Sequence, residues 1–113
     1  MGHCDSVPDP AFHLSLASRG AFVEFDILFL SSQSEHDTER TVGYVVAMER
    51  HGLIDQVLLS HDICMREAYA SQGGCGYGFA YGEFFDLLRR AGLSEDALYR
   101  ISTENPRRML TPA

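Results

Sequence analysis

The sequence contains no lysine and no tryptophan. All nine basic side chains are therefore arginine, and against sixteen acidic ones they leave a net charge of −7. A chain this acidic repels phosphate backbones, which argues against a nucleic-acid partner. Cysteine is scarce: Cys4, Cys64 and Cys75 are odd in number and widely spaced, with no CxxC pair and no histidine pair at zinc-finger distance. A disulfide framework and a structural zinc knot are both excluded, and the three read as reduced thiols of a cytoplasmic protein. No apolar run approaches the roughly 18 residues of a membrane span, and the first dozen residues lack the basic and hydrophobic regions of a signal peptide. Neither insertion nor export is expected, and no membrane partner. Met1-Gly2-His3-Cys4-Asp5-Ser6 fits the loose N-myristoylation pattern, but no basic residues stand nearby to hold an anionic surface.

What is present describes an ordinary globular chain, 45% hydrophobic and 22% charged over 113 residues. That suffices for one small domain with a core. Asp9 and Pro10 offer an N-cap and first helical residue, with Phe12, Leu16 and Ala17 on one face and Gly20 as the stop. Ala21 to Leu30 is too apolar for a strand with one wet face and reads as an interior strand. A second helix runs to His51 before Gly52, with Val42, Val45 and Val46 at helical spacing and His36 as a candidate cap. A second buried strand spans Gln56 to Ser60, centred on Val57-Leu58-Leu59 and ending in His61-Asp62. Residues 63–81 follow as a long loop carrying Gly73, Gly74, Gly76 and Gly78, the kind of segment that usually shapes a binding site. Phe84, Phe85, Leu87 and Leu88 form a helix face that stops at Gly92, Ser94 caps another helix, and Asn105-Pro106 restarts a last turn. Strands joined by helices are most simply parallel, which gives the α/β class. Two interior strands do not complete a sheet, so a partner supplies more or the chain is part of something larger.

In parallel α/β architectures, reactive groups gather at the carboxyl ends of strands. Asp62 stands at such an end, where one carboxylate oxygen can bind a metal and the other accept a proton from water. Taken alone, an aspartate after a strand is more often a turn or cap residue. His3, just ahead of the first helix, is the other candidate ligand. Glu24 and Asp26 share one face of the first strand and are costly to bury without partners. A structural role suits Glu24, whereas Asp26 is left open. Cys4 and Cys64 read as core fillers.

The run Asp55-Gln56-Val57-Leu58-Leu59-Ser60-His61-Asp62-Ile63-Cys64, then Gly73-Gly74-Cys75-Gly76-Tyr77, then Glu104-Asn105-Pro106-Arg107-Arg108-Met109-Leu110, resembles the C-terminal portion of phosphotriesterase-related proteins in the amidohydrolase superfamily. Gly2-His3-Cys4-Asp5 and Arg19-Gly20 fit the same pattern. The resemblance implies a partial (β/α)8 TIM barrel, roughly its last strands and helices, forming a single partial domain over residues 1–113. It implies a binuclear divalent metal centre, typically Zn2+, that activates water to hydrolyse phosphoesters or lactones. Under it, the two strands are the seventh and eighth, and His3 ends the sixth. His3 matches one metal ligand, and Asp62 matches another that also accepts the proton of the attacking water.

Where well-studied members carry a histidine after the strand-seven aspartate, this chain has Ile27, which argues against organophosphate turnover through a proton relay there. A barrel takes about 250 residues, and the ligands of strands one, four and five fall outside this sequence. The expectation is a fragment of a metal-dependent hydrolase, inactive as an isolated chain and acting on a small-molecule ester or lactone once the missing barrel half is supplied. The competing expectation is a non-catalytic α/β association module on the same scaffold. With sheet edges open, the lone chain is expected to self-associate.

Overall fold

In the computed structural model, which describes residues 1–112, the first helix α1 (Pro10–Ser18) is capped as its sequence dictates. Asp9 is extended and accepts a hydrogen bond from the Ala11 N–H. Strand β1 (Val23–Phe25) then pairs in parallel with β2 (Val57–Leu59), in the register Val23 to Val57, Glu24 to Leu58 and Phe25 to Leu59. The chain is rich in helix around a two-stranded sheet.

Between the strands run a short helix α2 (Leu28–Ser31) and the long α3 (Glu35–Arg50). Ser34, rather than His36, caps α3 by accepting from the Asp37 N–H. Its buried face is Thr38, Thr41, Tyr44, Val45 and Met48, one stripe of a 3.6-residue period. The helix ends at Gly52, whose φ of +70° lets Leu53 N–H reach back to the Met48 carbonyl and Gly52 N–H to Glu49. That closure satisfies carbonyls the helix would leave bare, and Gly92 repeats it after α4 (Phe85–Arg90). Val23, Phe25, Val57, Val45 and Met48 are all fully buried, so the sheet and α3 share the main core. At about 25 cal/mol per Å², each such side chain contributes about 1.5–3 kcal/mol.

Two expectations from the sequence change. The apolar run 21–30 is not one strand: the ladder stops at Phe25 and Leu28–Ser31 coil into a helical turn. Leu28 and Phe29 send their N–H groups to the carbonyls of Ser60 and His61, so the chain caps the end of β2 while burying Leu28 and Phe29. A continuous apolar run cannot distinguish strand from buried helix by period. Nor does the chain restart at Asn105-Pro106. Helix α5 (Glu95–Tyr99), capped by Ser94, continues through a wide π turn at Arg100–Glu104 into α6 (Asn105–Leu110). The wider turn shifts the carbonyl positions that a proline ring ordinarily clashes with. Asn105 is fully buried and donates through Nδ2 to the Ile54 and Val57 carbonyls, both at 2.8 Å. It pins α6 to the start of β2.

On its other side β1 receives Met1. The terminal amine donates to the Phe22 carbonyl at 2.9 Å and Glu24 N–H donates to the Met1 carbonyl at 3.0 Å. This two-bond pattern is that of a parallel neighbour, and it brings the end of the segment, His3, level with the end of β1. Among the described residues no helix is long and apolar enough to cross a membrane.

Candidate metal and catalytic site

Three chain segments end side by side: Met1–His3, β1 followed by Asp26, and β2 followed by Asp62. Over them lies a cavity of about 390 Å³ lined by His3, Glu24, Asp26, Ser60, Asp62 and Tyr81, with Leu58, Leu59, Pro106 and Met109 as its apolar wall. His3 and Asp62, far apart in the sequence, thus share one cavity at one end of the sheet. They share a second property. Among the described residues they are the two non-glycine positions with positive φ, +55° for His3 and +57° for Asp62. Left-handed backbone at an L-residue is uncommon, and it concentrates at functional sites where the surroundings over-determine it.

His3 is held by Asp26. The Asp26 Oδ1 accepts from the His3 backbone N–H at 2.9 Å and lies 2.6 Å from the ring Nδ1. A carboxylate only accepts, so the proton sits on Nδ1 and Nε2 is the nitrogen left for a ligand. The hydrogen bond to Asp26, and then its charge, raise the His3 pKa, with Asp62 adding to the same field. Orientation of a ligating imidazole by a carboxylate is a standard second layer of metal sites. Asp26, left open by the sequence, thus lines the cavity and fixes the His3 ring.

Glu24 also lines the cavity rather than serving the core. Partial burial pushes its carboxyl up, and the neighbouring Asp26 adds to the shift through a hydrogen bond and its charge. Gly2 sits so close that a Cβ there would lie 3.1 Å from Asp26 Oδ2 and 3.2 Å from Glu24 Oε2.

Asp5 belongs to the Gly2-His3-Cys4-Asp5 motif, but the sequence assigned it no role of its own. It is 3% exposed, its Oδ2 accepts from Ile27 N–H at 2.8 Å, and burial raises its carboxyl pKa. Asp26 thus holds the end of the His3 segment while Asp5 holds the residue after Asp26, a reciprocal tie. His13, buried under it, donates from Nε2 to the Cys4 carbonyl at 2.7 Å and packs edge-on against Phe25 and Tyr44. Cys4 is buried as expected, whereas Cys64 is exposed and fills no core; all three thiols are free.

An imidazole nitrogen and a carboxylate oxygen suit a borderline divalent cation. Among the described residues, however, no group of three or more His, Cys, Asp and Glu side chains converges as a metal cage. Two donors fit a site completed by further ligands, not a self-sufficient one.

The profile of the phosphotriesterase family matches residues 1–110. The phosphotriesterase homology protein of Escherichia coli is 31% identical over 106 residues, which is 94% of this chain and 36% of that protein. The crystal structure of a resiniferatoxin-binding protein from Rhodobacter sphaeroides superposes with a TM-score of 0.86 at 32% identity, covering 95% of this chain and 32% of the other. The lactonase Lmo2620 of Listeria monocytogenes gives a TM-score of 0.83 at 25% identity, with 97% and 35% covered. The two crystal structures share the fold of nearly the whole chain. The chain belongs to the phosphotriesterase family and spans about a third of the length of the relatives it matches.

Proposed function

We propose that residues 1–113 are a single partial domain, the last strands and helices of a (β/α)8 barrel, with the Met1–His3 segment, β1 and β2 as its sixth, seventh and eighth strands. In this reading the chain is a fragment of a metal-dependent hydrolase. His3 through Nε2 and Asp62 through one oxygen would hold a divalent metal, taken as zinc, which when bound would supply Lewis acidity toward a water. Asp62, through its second oxygen, would accept the proton of the attacking water, and Asp26 keeps the His3 ring aimed at the cavity. The substrate is a small-molecule ester or lactone; the lactonase among the relatives supports this, and Ile27 in place of a relay histidine disfavours organophosphates. The remaining ligands come from the missing barrel half, and the isolated chain is inactive. With three free thiols, its compartment is taken as the cytoplasm.

One observation carries this reading: His3 and Asp62 line the same cavity in the same uncommon backbone conformation. The test is to co-express the chain with a polypeptide supplying the family's other strands and measure zinc per complex and hydrolysis of a chromogenic lactone. Zinc and turnover that both disappear with Asp62→Ala support it. A second reading, in which the two donors found among the described residues hold no metal, is a non-catalytic association module, which predicts a folded, metal-free complex in the same assay.

A further inference from the structure

The long segment between Asp62 and α4 is preassembled rather than loose. Gly74 N–H donates to the Tyr69 carbonyl and Gly76 N–H to the Ala68 carbonyl, both at 2.9 Å, across tight turns at Arg66–Ala68 and Ala70–Gln72. A Cβ on Gly74 would come within 2.3 Å of the Glu67 carbonyl oxygen, so the loop closes on itself with no space left. Yet among the described residues no hydrogen bond runs from 62–77 to any other part of the chain. The first tie is at its far end, where Ala80 N–H donates to Nε2 of His61 at 3.0 Å. His61 is 6% exposed, and its own carbonyl accepts from Phe29 N–H. The next residue, Tyr81, lines the cavity with His3 and Asp62 and packs edge-on against Phe85 at 5.3 Å.

We propose that His61 is a positioning residue: its neutral ring latches Ala80 to the end of β2, seats the 63–79 loop as one rigid body and holds Tyr81 at the cavity wall. This deepens the hydrolase reading, which it takes as its setting, by naming what fixes the pocket's loop side. An Nε2 that accepts must be bare, so the ring carries its proton on Nδ1.

The test uses the full chain without metal or substrate, so its failure is separate from failure of the hydrolase reading. Arg66 is the one basic residue between Arg50 and Arg89, which makes trypsin cleavage after it a specific reporter of loop opening. His61→Phe keeps an aromatic ring against Tyr77 and Phe79 but removes the acceptor; His61→Gln returns an acceptor near the Nε2 position. The expected result is amide exchange at Ala80 at least about fivefold faster in His61→Phe, faster cleavage after Arg66, recovery of both in His61→Gln, and unchanged exchange in α3. Equal exchange and cleavage in wild type and His61→Phe overturn the proposal. Should His61→Phe not fold, the wild-type ring decides: a long-range proton–nitrogen spectrum with the proton on Nδ1 supports the latch, and one with the proton on Nε2 overturns it.

Discussion

His3 and Asp62 adopt the same left-handed backbone at the two strand ends that face one cavity, with φ of +55° and +57°. Neither position needs it for the fold's sake: the chain places glycine where it turns by positive φ elsewhere, at Gly20, Gly52, Gly73, Gly76 and Gly92. Keeping a functional side chain in a glycine's conformation costs about 1–3 kcal/mol per residue.

Asp62 is exposed and no hydrogen bond is formed by its side chain among the described residues, so its strain is the easier of the two to release. Asp62→Gly is expected to stabilise the chain by up to about 1 kcal/mol, a Tm gain of a few degrees, whereas Asp62→Ala keeps the strain and gives no such gain. Thermal melts of both variants check this. A melt in which glycine is no better than alanine removes the strain argument.

Asp26 aims His3 through two contacts from one oxygen. Asp26→Ala in the completed complex is therefore expected to weaken zinc about 10–100-fold while leaving the main core in place. A competition titration against a chelator measures it, and wild-type affinity in the variant rules out Asp26 as the group that orients the ligand.

Asn105 satisfies two buried carbonyls at once, those of Ile54 and Val57. Asn105→Ala leaves both bare and is expected to cost about 2–4 kcal/mol, read as a lower urea midpoint at unchanged slope. A loss below about 1 kcal/mol means that water reaches the carbonyls and the helix is not pinned there.

Phe25 is fully buried against His13 and Tyr44, with ring centroids at 5.1 and 5.8 Å. Phe25→Ala is expected to cost about 3–5 kcal/mol. In a domain this small that approaches the whole stability, so loss of cooperative unfolding is the outcome to look for by circular dichroism.

Several helix ends were legible because they carry local chemistry: Asp9 and Ser94 as caps, Gly20, Gly52 and Gly92 as stops. The parallel pairing followed from strand and helix order. The division of 21–30 into β1 and α2 was not legible, because what ends β1 is remote: Asp5 takes the Ile27 N–H and the carbonyls of Ser60 and His61 take those of Leu28 and Phe29. The same reason hid Asp5 and Tyr81, whose roles exist only once distant segments meet. Pro106 misled by its usual habit, since a π turn upstream lets the helix carry it. His3 and Asp62 were singled out first by their places along the chain and then by the family motif, and their shared backbone state is a property neither contains.

The most direct measurement is a Co2+ titration of the nitrogen-labelled chain in complex with a polypeptide that supplies the family's other strands, reading which amides of the labelled chain broaden first. The account predicts early, paired loss of the signals around His3 and Asp62, abolished for both by Asp62→Ala. Broadening that begins instead around Glu35, Glu39 and Glu83, which line one hollow elsewhere on the chain, or that touches one of the two residues without the other, contradicts a cation held between them.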